Sequence, residues 1–171
     1  MMKKTIAALF FALSACCAAL AQQRVTVDLS GKPFSYEGEG ATGTQTLVFS
    51  GVSVLQENGT NPNEKNFVKE GAKRINADVS YNTTLRCYSG HELTFATLDG
   101  APITRIDFGY WEHDGKMYDP GEEKVSVKEG GGSYLSGQEP MTASWTGNAP
   151  RVRLHFGKQA RFTFIKVTYL K

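Results

Sequence analysis

The sequence predicts an all-β protein, an antiparallel β-sandwich that follows an N-terminal export signal. Three observations carry that expectation. Past Ala21, apolar side chains recur at every second residue, the period of a strand with one wet face. Turn-forming pairs punctuate these runs, among them Asn58-Gly59, Asn61-Pro62, Ser89-Gly90, Asp99-Gly100, Asp114-Gly115 and Pro120-Gly121. Outside the leader, no window keeps apolar residues at i, i+3, i+4 and i+7, so nothing helical is on hand to cover a parallel sheet.

The chain opens with a basic pair, Lys3 and Lys4, and an apolar stretch from Ile6 to Ala21 broken only by Ser14. That stretch is shorter than the roughly 20 apolar residues a bilayer-spanning helix needs. It closes on Ala19-Leu20-Ala21, with small residues where signal peptidase requires them, so residues 1–21 are expected to leave the mature protein. Leu13-Ser14-Ala15-Cys16 also has the form of a bacterial lipobox, in which Cys16 would carry the lipid. The apolar residues after Cys16 favour the cut after Ala21, because a lipid anchor is normally followed by a polar tether.

The mature part, residues 22–171, has the size of one ordinary domain. At that length a chain buries roughly 70% of its unfolded surface, enough for a core without staples. Val25, Val27 and Leu29 alternate with Arg24, Thr26 and Asp28. Further strand-like runs cover 46–55, 74–81, 85–88, 92–98, 103–110, 124–128, 151–156 and 161–170. Two of them change parity. Phe162 and Phe164 share one face while Ile165, Val167 and Tyr169 share the other, which predicts a β-bulge near Phe164. Leu47 and Phe49 stand against Val52 and Val54 in the same way, which predicts a bulge at Gly51. Residues 56–73, 112–123 and 129–141 read as long loops, with a short helical turn near 66–71.

Charge and cysteine content exclude several classes of function. The 19 basic residues less Lys3 and Lys4 leave 17, equal to the 17 acidic ones, so the mature domain is neutral. A neutral domain gives no electrostatic case for nucleic acid, and contact with a membrane would come only through a lipid on Cys16. With cleavage after Ala21, Cys87 stands alone and forms no intramolecular disulfide. Its place in an apolar strand pattern marks it as a small buried hydrophobe.

One ordered set of motifs adds a resemblance. Leu85-Arg86-Cys87-Tyr88-Ser89-Gly90-His91-Glu92-Leu93-Thr94-Phe95 leads through Asp99-Gly100 into Ile103-Thr104-Arg105-Ile106-Asp107-Phe108. Trp145-Thr146-Gly147-Asn148 follows, and then Arg161 to Tyr169 with the ending Ile165-Lys166-Val167-Thr168-Tyr169. From about Arg24 to Lys171 the chain resembles a β-sandwich repeat module of secreted and surface proteins of Bacteroidota, here in a single copy. The resemblance implies a jelly-roll-like sandwich in an extracellular setting and company with carbohydrate-active or adhesive proteins. It carries no catalytic residues across, and Trp145 falls within its pattern as a core residue.

No active site is expected. No serine sits in a Gly-x-Ser-x-Gly elbow, since Tyr134 precedes Ser136 by two places and Cys87 precedes Ser89. His155 alternates with Arg151 and Arg153 on a strand face that should be solvated, either as ordinary surface or as a charged edge, with Lys166 as a further member of the stripe. Glu122 and Glu123, near Asp114 and Asp119, lie in an acid-rich loop that lacks the apolar pocket needed to keep one carboxyl protonated. Those acids leave room for a structural calcium ion, without the spacing of a calcium loop, and no other cofactor is expected. Cys87, His91, His113 and His155 show no zinc-ligand spacing.

A sugar ring presents an apolar C–H face that stacks on aromatic side chains and hydroxyls that need directed partners. Tyr110, Trp111, His113 and Asp114 supply both at a strand end, and Tyr118 and Tyr134 lie in the loops beside it. These six residues are the candidate ligand-binding set. The leading expectation is an exported, non-catalytic module, periplasmic, extracellular or at the cell surface, that binds glycan. The alternative is a structural or adhesive surface protein that works through protein contacts, and a small secreted hydrolase comes a distant third.

Overall fold

The computed structural model describes residues 23–29, 45–57, 68–70, 84–113, 115–137 and 139–171. The expected leader with Cys16, the expected strand over 74–81 and the candidate Asp114 lie outside them. Fourteen strands are described: β1 Arg24–Asp28, β2 Gln45–Phe49, β3 Val52–Glu57, β4 Val68–Glu70, β5 Thr84–Cys87, β6 His91–Thr97, β7 Ile103–Tyr110, β8 Glu112–His113, β9 Lys116–Met117, β10 Val125–Glu129, β11 Ser133–Ser136, β12 Thr142–Ala149, β13 Arg151–Phe156 and β14 Ala160–Leu170. One 3-10 turn, Glu122–Lys124, is the only helical element among the described residues.

The strands form two antiparallel sheets packed face to face, the sandwich the periodicity calls for. One sheet has the order β11-β12-β7-β14-β5-β4, with β1 also paired to β14. The other runs β10-β13-β6-β3-β2, and β8 and β9 make a separate small hairpin. β14 is long enough to be shared along one edge: Ala160 to Phe162 pair with β5, and Lys166 to Leu170 pair with β1. From β5 onward the chain crosses repeatedly between the sheets, a jelly-roll-like winding. Alternation decides which side chains go inside. On β7, Ile106, Phe108 and Tyr110 are buried; on β13, Val152, Leu154 and Phe156; on β14, Phe162, Ile165, Val167 and Tyr169.

Phe108 holds the middle of the sandwich. Its ring meets Phe95 at 6.0 Å and Phe156 at 6.5 Å in the opposite sheet, and Phe162 at 5.7 Å in its own. The pairs with Phe95 and Phe156 are edge-to-face, the arrangement the ring quadrupole favours. Cys87 is buried, as its strand pattern indicates, and Trp145 is fully buried with its indole N–H donating to the Gly131 carbonyl at 2.8 Å.

The bulge expected near Phe164 is present. The β14–β7 register passes from Phe162 opposite Tyr110 to Phe164 opposite Gly109, with Thr163 as the extra residue. The two phenylalanines therefore part: Phe162 goes inward, and Phe164 lies half-exposed. The parity change at Gly51 has another cause. Ser50 and Gly51 both take positive φ, 41° and 92°, and Phe49 pairs with Val52, so the run is a two-residue hairpin between β2 and β3 and not one bulged strand.

Two further expectations are corrected. Residues 68–70 form a strand on β5 where a helical turn was expected. Ser133–Ser136, within the expected loop 129–141, is a strand against β12, itself a strand that the alternation had not revealed. Between β10 and β11, Gly130, Gly131 and Gly132 take φ of 92°, 58° and 76°. A Cβ on Gly132 would stand 2.3 Å from the Thr146 carbonyl oxygen and 3.0 Å from the Trp145 ring, so the triple glycine lets the backbone close over Trp145.

Candidate functional site

The aromatic end of β7 is built by three chain segments joined in a closed circuit of backbone hydrogen bonds. Trp111 N donates to Arg161 O at 2.9 Å, Arg161 N donates to Tyr118 O at 3.3 Å, and Tyr118 N donates to Trp111 O at 3.0 Å. Because Tyr110 points into the core opposite Phe162, Trp111 and Arg161 are next in the alternation and turn to the outer face of the seven-stranded sheet. Tyr118 is returned to them by the β8–β9 hairpin.

The side chains stack in the same order as the backbone. The Trp111 and Tyr118 rings lie 5.4 Å apart with planes 29° from parallel. The Arg161 guanidinium sits 3.9 Å from the centre of Tyr118 and 5.1 Å from that of Trp111, and Lys116 Nζ lies 5.3 Å from Tyr118. These are cation–π distances, worth about 0.5–2 kcal/mol each according to exposure. Arg86 is the cross-strand partner of Arg161, and its Nη1 donates to the Tyr88 hydroxyl at 2.9 Å. Partial burial, and then the charge of Arg86, lower the affinity of Arg161 for its proton. A guanidinium stays charged under such a shift, so the surface combines two arginines, a lysine and three aromatic rings.

The six candidates thus divide. Trp111 and Tyr118 form the half-exposed stack. Tyr110 and Tyr134 are buried, 4% and 6% exposed, with their hydroxyls hydrogen-bonded to each other, and their rings pack on Phe108. They belong to the core and do not face a ligand, because Tyr110 shares the parity of Ile106 and Phe108. His113 lies in β8, and Asp114 falls outside the described residues. Arg161, Arg86 and Tyr88 were missed. The signal available for them was parity alone: Arg161 stands between the inward Ala160 and Phe162.

The polar side chains of the other sheet and of the acid-rich loop have their own contacts. Arg151 reaches Glu129 at 3.1 Å, and Arg153 and His155 each lie 3.6 Å from Glu92. This basic stripe is therefore interleaved with acids on the outer face of the five-stranded sheet. Its strand is flanked on both sides, so it is not an edge, and Lys166 belongs to the other sheet. Ser126, His155 and Glu92 fall in one cross-strand row, the order a nucleophile, base and acid would take. At 3.6 Å the His155–Glu92 contact is too long for a hydrogen bond, and Glu92 is drawn equally to Arg153. These side chains are half-exposed on an open sheet face, the setting of a surface ion-pair network. His91 is buried with Nδ1 2.9 Å from Gln56 Nε2. Asp119 Oδ1 accepts from Gly121 N at 2.8 Å, a local turn just before Glu122 and Glu123. Among the described residues, no group of three or more His, Cys, Asp or Glu side chains gathers to hold a metal ion.

Comparison with protein-family models, with curated proteins and with solved structures finds no match to this chain.

Proposed function

We propose that this protein is a non-catalytic, exported binding module that takes carbohydrate on the outer face of its seven-stranded sheet. The observation that carries the reading is the Trp111–Tyr118–Arg161 stack. Aromatic rings give a sugar's C–H face something to lie on, and the guanidinium and ammonium groups beside them offer donors to its hydroxyls. The closed backbone circuit holds those groups in place before a ligand arrives, which reduces the ordering cost of binding. The reading of protein contacts would draw on the exposed large apolar side chains among the described residues, Val48, Leu98, Met117 and Leu135. They lie on β2, the β6–β7 turn, β9 and β11, and none joins the aromatic stack.

Affinity electrophoresis through gels containing plant and host polysaccharides tests the proposal. At least one polysaccharide should retard the wild-type protein. Trp111→Ala should weaken that retardation at least tenfold, about 1.4 kcal/mol, in protein that still unfolds in one cooperative transition. Free migration on every gel, or equal retardation of wild type and Trp111→Ala, would refute it.

A further inference from the structure

We infer that the ligand is an extended glycan chain, uncharged where it crosses a groove beside the Trp111 stack, and that Phe164 is a second platform for it in that groove. This rests on the carbohydrate reading above but draws on a different part of the sheet. Cross-strand register sets out the outer face in rows. Along β7 come Arg105, Asp107 and Gly109; opposite them on β14 stand Thr168, Lys166 and Phe164; on β12 stand Thr146, Ser144 and Thr142. The next position along β7 is Trp111, opposite Arg161. The stack and the rows therefore share the outer face of the seven-stranded sheet.

A groove of about 550 Å³ lies over these rows, within the range of small-ligand sites. Phe164 lines it. Its ring lies across Gly109 in the space a side chain would take: a Cβ there would come within 2.3 Å of Phe164 Cε1. The missing side chain at Gly109 is what allows the ring to lie down on the sheet. Lys166 Nζ stands 5.1 Å from the centre of that ring. Ser144 and Thr142 of β12 add hydroxyls along one side. An aromatic plate ringed by hydroxyls, carboxylate and cations is a set of partners for a sugar ring.

The charges of the groove select the kind of sugar. Arg105 and Lys166 are matched by Asp107 and Glu139 in its lining. Arg105 Nε already sits 2.6 Å from Asp107 Oδ1, and Lys166 Nζ lies 3.9 Å from Asp28. Within the groove, a lining with no surplus of positive charge gives no advantage to a uronic acid or a sulfated sugar, whereas paired donors and acceptors suit neutral hydroxyls; the cations Arg161, Arg86 and Lys116 lie outside it, at the stack. Two residues separate Gly109 from Trp111, about 7 Å along a strand, so rings of one chain can meet both platforms.

Phe164 on Gly109 would also arise as simple repair of a glycine gap in the sheet, and the test separates the two. Isothermal titration of the full mature chain uses neutral gluco- and xylo-oligosaccharides of two to six sugars, with oligogalacturonates of equal length as the charged probe. Affinity should rise at least tenfold from dimer to tetramer on a neutral series and stay weak on the charged one. Phe164→Ala should abolish that gain with length while leaving dimer affinity intact, and Trp111→Ala should weaken both. Phe164→Leu, which keeps an apolar cover on Gly109, should lose the gain as well, even if the alanine variant fails to fold. Affinity that is flat with length, a gain that survives both Phe164 variants, or preference for galacturonates would overturn the inference. If Trp111→Ala still weakens binding in those cases, the carbohydrate reading stands without it. No binding of any saccharide would remove both.

Discussion

Replacing Phe108 with alanine should lower the free energy of unfolding by about 3–5 kcal/mol, the range for deleting a buried aromatic ring. The ring is fully buried and lies within 6.5 Å of five others, Phe95, Tyr110, Tyr134, Phe156 and Phe162. Two of these neighbours belong to the opposite sheet, so the cavity would open where the layers meet and neither could collapse alone. Because a domain of this size has only about 5–15 kcal/mol to lose, the variant should forfeit a large share of its stability. Urea denaturation followed by near-ultraviolet circular dichroism should show a lower midpoint with an unchanged slope. A loss below about 1 kcal/mol would mean that the ring is not where the two sheets join.

Alkaline pH should unfold the protein through Tyr110 and Tyr134. Burial, first among the causes, raises the affinity of both hydroxyls for their protons; the neighbouring Tyr134 adds to the effect on Tyr110. In the unfolded chain both titrate near 10. Below that pH each side of the equilibrium holds the two protons, and the contribution to stability is complete. Above it the unfolded chain has released protons that the folded chain retains. Stability then falls with rising pH, by up to about 1.4 kcal/mol per pH unit for each tyrosine. Denaturation midpoints measured from pH 8 to 12 should show this fall, and the double variant Tyr110→Phe/Tyr134→Phe should flatten it. Tyr134→Phe alone should cost about 1–3 kcal/mol at pH 7 by removing the partner of a buried hydroxyl. Equal pH profiles for wild type and the double variant would show that the pair does not hold its protons in the core.

The sheets were legible in the sequence wherever inward side chains are large. Ile106 with Phe108, and Val152 with Leu154, mark their strands by alternation alone, and the shift at Phe164 locates a bulge because a period of two cannot slip otherwise. Where inward residues are small, the pattern fades. β12 buries Ala143, Trp145 and Ala149, and two alanines around one tryptophan do not read as a strand. Parity change is also ambiguous in itself: an extra residue and a tight turn both reset it. The left-handed pair Ser50-Gly51 makes the latter between β2 and β3.

The candidate site was half legible for a related reason. Trp111 and Tyr118 stand out as aromatics at a strand end and its loop. Tyr110 was misassigned although its parity with Phe108 places it inside, and Tyr134 was misassigned because its strand was taken for a loop. Arg161, Arg86 and Phe164 reach the site only through pairings between strands far apart in sequence, and register of that kind is decided by the packed sheet as a whole.

Chemical-shift mapping of the tightest-binding neutral oligosaccharide on isotope-labelled residues 22–171 tests most directly where this protein does its work. Shifts should concentrate at Arg105, Asp107, Gly109, Trp111, Tyr118, Arg161 and Phe164, along the outer face of the seven-stranded sheet. Shifts confined to Arg151, Arg153 and His155 on the opposite sheet, or no shift with any saccharide, would contradict the account.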